Sequence, residues 1–126
     1  MLESFKDINE PVKDIIIEEE KNQISLIKIK YNSFELNIIP IAECCSHSWI
    51  QEDNYFDELI GKVIHSIIED NSKVIELEDD NIYDVVKNHL FIIKFKDTDD
   101  IFKFYLRNDS NGYYDGDLFI NMIKND

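Results

Sequence analysis

The sequence predicts a single α+β domain, mainly an antiparallel β-sheet with one or two short helices, and three observations carry that reading. Two late segments, "HLFIIKFK" and "IFKFYLR", alternate apolar and polar side chains with the period of a strand. Near the start, three β-branched runs follow one another across short turns. Between these regions "NYFDELIG" places Phe56, Leu59 and Ile60 at helical spacing, behind a capping Asp53 or Asn54 and ahead of Gly61 as a stop.

Taken in order, residues 1–12 are polar with Pro11 near their end, and read as an arm ahead of a domain spanning 13–126. "DIIIEEE" and "QISLIKIKY" form a hairpin across Lys21-Asn22, with Ile24, Leu26 and Lys28 on one face and Ile27 and Ile29 on the other. "FELNI" is the third strand, which Pro40 ends because it has no N–H to donate to a ladder. After the helix, "KVIHSIIE" reads as a strand and "SKVIELE" as another or an irregular extension, while "IYDVVKNH" fits strand or helix. In the closing pair Phe91, Ile93 and Phe95 share one face, as do Phe102, Phe104 and Leu106, and both faces are assigned to the core. "NDSNG" turns the chain, and "YYDGDLFINMI" ends it as a strand or short helix.

A chain of 126 residues that is 44% hydrophobic fits one domain, able to hide about two thirds of its extended surface without staples. Its net charge of −14 exceeds in magnitude the roughly 2–8 that solubility asks of a small domain. Such a balance speaks against direct nucleic-acid binding through phosphates and suits a basic partner instead. The N-terminal segment "MLESFKDINEPVKD" has no basic leader or apolar core, and no run reaches the ~18 apolar residues of a membrane span. The expectation is a cytoplasmic protein with free thiols and no membrane partner.

The segment "AECCSHSWIQED" holds both cysteines, a histidine and the only tryptophan. Zinc sites space their cysteines as C-x₂₋₄-C so that both thiolates reach one ion, and Cys44-Cys45 does not. A bridge between neighbours is strained as well, since adjacent Cα atoms lie about 3.8 Å apart, below the roughly 4.4–6.8 Å of ordinary disulfides. His47 is close enough in sequence to suggest a thiol with its base, but Cys-Cys-x-His alone is not diagnostic. The structural reading makes one cysteine a small buried group and Trp49 a core anchor, with Ser46 and Ser48 bonding the turn's backbone.

"NDSNGYYDGD" is not an EF-hand loop, because Gly112 follows Asp109 by three residues where five are needed. Glycine-rich phosphate loops and nucleophile elbows are absent as well. No metal or cofactor is predicted. Arg107, the only arginine, stands beside Tyr113 and Tyr114, and a nearby acid is its expected partner. His65 and His89 lie inside strand-like runs and read as ordinary satisfied or exposed imidazoles.

Cys44, Cys45 and Trp49, then Leu59, Ile60 and Gly61, then Ser110, Asn111, Gly112, Tyr113 and Tyr114 occur in an order that resembles a family of small domains of unknown function encoded by phages, bacteria and some large viruses. The resemblance spans roughly residues 22 to 120 and departs in the N-terminal arm and in 71–88, which reads as an insertion. It implies that the double-cysteine segment and the "SNGYY" turn form one polar and aromatic site if they meet in space. The expected ligand-binding residues are accordingly Cys44, Cys45, His47, Trp49, Arg107, Asn111, Tyr113 and Tyr114. The functional reading is a non-enzymatic binding or accessory protein for a protein partner or small ligand. An acidic inhibitor of a basic partner is the second reading, and a metal protein or enzyme built on Cys44, Cys45 and His47 is the third.

Overall fold

The structure is a computed structural model that describes residues 9–43, 46–78, 85–110 and 115–125, with the side chains of 71–78, 85–86 and 110 left aside. Eight strands form one antiparallel sheet: β1 (Asp14–Glu20), β2 (Gln23–Lys30), β3 (Phe34–Ala42), β4 (His47–Glu52), β5 (Ile64–Glu78), β6 (Val85–Phe95), β7 (Ile101–Ser110) and β8 (Gly116–Lys124). Their order is β5-β6-β7-β4-β2-β3-β8, with β1 added on β2. The sheet curls into a half-barrel around its own core.

The α+β prediction is therefore corrected to an almost wholly β architecture. The segment assigned to a helix makes only a 3₁₀ turn, Phe56–Leu59. Helical spacing was present, but four residues are too few to repay nucleation. Tyr55 at the N-cap supplies no side-chain bond, and Ile60 is already extended at φ −61°, ψ 129°. Instead the Glu52 carboxylate accepts the Phe56 N–H at 2.8 Å. Gly61 does stop the turn, at φ 87°, where its missing Cβ matters. The turn works as a plug, because Phe56 and Leu59 are fully buried.

Lys21 and Asn22 both adopt positive φ, 52° and 66°, as a two-residue hairpin turn matched to strand twist requires. Below the turn the expected faces of β2 change. Pairing passes from Glu18↔Leu26 to Glu19↔Ile24, so Ser25 is the extra residue of a bulge. Ile24 consequently joins Ile27 and Ile29 inside, and Leu26 is left half-buried. Pro40 does not end β3, which runs on to Ala42 against β8, with Pro40 opposite Leu118. Its partners on β2 stop at Ile38, so beyond that point β3 has one ladder to satisfy and a proline is tolerated.

"KVIHSIIE" and "SKVIELE" fuse into one 15-residue strand, β5, with irregularities between Ile64 and Ser66 and between Asp70 and Ile75. The stretch read as an insertion is the far half of this β5–β6 hairpin, and residues 79–84 lie outside those described. "VVKNH" is strand, and so is the C-terminal segment. The last described residues of the arm are bound to the fold. Val12 is buried, donates its N–H to the Lys62 carbonyl at 2.9 Å and accepts from the Gly61 N–H at 2.8 Å.

The core lines the concave face. Phe91, Ile93 and Phe95 on β6 and Phe102, Phe104 and Leu106 on β7 point inward, as their alternation predicts. Phe56 packs on Phe102 and Phe104 with ring centres 5.0 and 5.5 Å apart, and Phe91 stacks on Phe104 at 5.4 Å. No helix among the described residues is long and apolar enough to cross a membrane.

Candidate functional site

Five of the eight expected binding residues, Cys44, Cys45, Asn111, Tyr113 and Tyr114, lie outside the described residues. The flanks of their two segments meet. Glu43 donates its N–H to the Asp115 carbonyl at 2.9 Å, and its carboxylate accepts the Asp115 N–H at 3.0 Å. Ala42 pairs with Gly116, and His47 with Asp109.

His47, Trp49 and Arg107 come together, but on the outward face. Strand alternation sends Ile50 of β4 inward, fully buried, and His47, Trp49 and Gln51 outward. The expectation that Trp49 anchors the core is thus corrected, since Ile50 does so. Trp49 faces Arg107 across the β4–β7 pair, with the guanidinium 5.6 Å from the indole centre. The His47 ring stacks on Trp49 at 5.3 Å with 27° between planes. Arg107 donates to the Gln51 amide oxygen at 2.6 Å, so among the described residues its partners are a neutral amide and a ring. His47 Nε2 meets Gln23 Oε1 at 2.5 Å. A shallow pocket beside this ladder is lined by Glu20, Gln23, Ser25, Pro40, His47 and Trp49 among others.

A second cluster sits on the concave side, at the end of the sheet where β4 begins and β7 ends. His89 is buried and holds the Asp115 carboxylate through Nε2 at 2.8 Å. Asn108, fully buried, donates through Nδ2 to the hydroxyls of Ser46 at 3.0 Å and Ser48 at 2.9 Å. Ser46 also bonds the Glu43 carbonyl at 2.7 Å, as turn chemistry predicts. Glu69 faces the same space. Burial raises its pKa above the ordinary carboxylate value, the His89 imidazole opposes that shift, and Asp117 and Asp115 add to it.

This inner cluster was missed, although its signal was present. His89 continues the inward alternation of Phe91, Ile93 and Phe95, and Asn108 continues that of Phe102, Phe104 and Leu106. Polar residues at buried parity mark a polar end to the core. No group of three or more His, Cys, Asp or Glu side chains among the described residues is placed to hold a metal ion.

Residues 6–120 match the family model described as Domain of unknown function (DUF7448). The chain belongs to this family. It is also 39% identical over 109 residues to "Uncharacterized protein L278" of Acanthamoeba polyphaga mimivirus, covering 76% of this chain and 84% of that protein. No solved structure gives a significant match. The expected resemblance to a family of domains of unknown function with relatives in large viruses is thus shown at the level of the family and of one viral relative. The match takes in both the 71–88 stretch and the end of the arm from residue 6.

Proposed function

We propose that this protein is a non-catalytic binding domain that recognises its partner with the convex face of β4 and β7. The observation that carries this reading is the outward ladder His47–Trp49–Arg107–Gln51. Burial in the core is the usual fate of a tryptophan, and pairing with a carboxylate that of an arginine in so acidic a chain. Here the only tryptophan and the only arginine of the sequence support each other on the outward, partly exposed side of β4 and β7. Aromatic and arginine side chains held in this way are the groups that dominate recognition surfaces.

A second reading, an acidic inhibitor of a basic partner, draws on the closeness of Asp115 and Asp117 to Glu69, where they add to the rise that burial gives the Glu69 pKa. The two readings use opposite faces and partners of opposite charge.

Trp49 is the only tryptophan, so its emission reports directly on the outer face. Titration with three homopolymers, polyglutamate, polylysine and a 20-mer of thymidylate, tests both readings. A polyanion that shifts Trp49 emission, with the shift lost in Arg107→Ala, supports the convex-face reading. Binding of polylysine alone, with Trp49 silent, replaces it by the inhibitor reading.

A further inference from the structure

Strand pairing arranges more than the ladder on the convex face. Along β7 the outward residues are Lys103, Tyr105 and Arg107, each half-exposed and about 6.8 Å from the next. Arg107 lies beside Trp49 on β4 and Asn88 on β6, Tyr105 beside Gln51 and Leu90, and Lys103 beside Ile92. Lys94, exposed, is diagonal to Lys103. The result is a strip that alternates cation, aromatic ring and cation, with a second ring alongside.

The net charge of −14 is an average over the chain that this strip does not share. The outward face of β4, β6 and β7 carries Lys94, Lys103 and Arg107 against Asp109 at its far end, and Asp70 on the neighbouring β5 lies opposite Leu90. Two other lysines of the sheet are occupied elsewhere, Lys28 with Glu18 at 3.5 Å and Lys30 with Glu35 at 4.0 Å. Screening over about 8 Å at physiological salt lets such a strip act apart from distant acids.

From this placement we infer that the convex strip Lys94–Lys103–Tyr105–Arg107–Trp49 binds single-stranded nucleic acid. The inference rests on the convex-face reading above and names the ligand class for it. Each required element is on the strip: rings on which bases stack, and cations at about the spacing of successive phosphates beside them. The strip is reached at Lys94 and from the β4 side, where His47 and Gln51 are exposed, while Leu90 beside Tyr105 is buried; unpaired bases can enter such a partly covered track, and a duplex cannot. An acidic polypeptide satisfies the cations but has no use for two rings set between them.

The test is fluorescence anisotropy with a labelled 20-mer of thymidylate, the corresponding duplex and labelled polyglutamate, on the full chain. Single-strand binding is expected, with log Kd rising against log salt at a slope of about 2 for three phosphate contacts. Tyr105→Ala is expected to weaken it about tenfold. The charge reversal Lys103→Glu, at a half-exposed position that spares the fold, is expected to abolish it. Equal binding of duplex, or binding insensitive to both substitutions, overturns the inference. Polyglutamate bound by the same face with no response to the oligonucleotide overturns the nucleic-acid assignment and leaves the convex-face reading standing. No response to either polyanion removes both.

Discussion

The two faces of β7 are one residue apart in sequence and do different work. Inward, Phe102, Phe104, Leu106 and Asn108 are all buried; outward, Lys103, Tyr105, Arg107 and Asp109 are all half-exposed. The inner row holds the half-barrel together through Phe56 and Phe91 and closes its end through the Asn108–serine bonds. The outer row adds little to that core and collects the cations and rings instead. A strand's twofold period separates stability from recognition on a single element. Substitutions on the two faces should therefore divide in the same way.

The largest effect is expected inside. Phe104→Ala removes a fully buried ring that touches both Phe56 and Phe91, and should cost about 3–5 kcal/mol in urea denaturation. Gly116→Ala comes next. A Cβ there would lie 2.1 Å from Ser48 Oγ and 2.8 Å from the Ile41 carbonyl, and one of these is backbone that cannot swing away. A loss of about 1–3 kcal/mol and a lower melting temperature are expected. On the outer face Trp49→Ala should cost about 1 kcal/mol or less by the same assay, while removing the binding signal. A large loss of stability from Trp49→Ala would erase the distinction between the faces.

Smallest is Glu69→Gln, where the sign matters more than the size. The folded pKa of Glu69 is raised, mainly by burial. Below its ordinary value the carboxyl is protonated in both states and costs nothing. As pH rises from there to the folded pKa, the unfolded chain ionises first and the folded state loses ground. Glu69→Gln should accordingly stabilise the protein at neutral pH, with the gain disappearing below about pH 4.5, the ordinary glutamate value. A melting curve at each pH checks it, and a destabilised variant at neutral pH would show that the Glu69 carboxylate is a needed acceptor.

Much of the sheet was legible because alternation is a local signal. Phe91, Ile93, Phe95, Phe102, Phe104 and Leu106 were placed inward from sequence and are there. The helix misled because Phe56, Leu59 and Ile60 satisfy helical spacing over too short a run, and only the extended Ile60 shows that the turn ends at once. Leu26 and Ile24 exchanged roles through a bulge at Ser25, which no periodicity announces. The site divided similarly. Trp49 and Arg107 were singled out by residue type, but their meeting depends on the β4–β7 register, between strands more than fifty residues apart. His89 and Asp115 were overlooked because they lie 26 residues apart and meet only through the fold, although the parity of His89 already placed it inside.

Amide chemical-shift mapping during titration with the thymidylate 20-mer tests the division of faces most directly, since it reports which residues a ligand touches. The shifts are expected to fall on residues 47–51, 88–94 and 101–107, strongest around Trp49, Tyr105 and Arg107. Shifts concentrated instead at Glu43, Glu69, His89 and Asp115 would place recognition on the concave side and contradict the account.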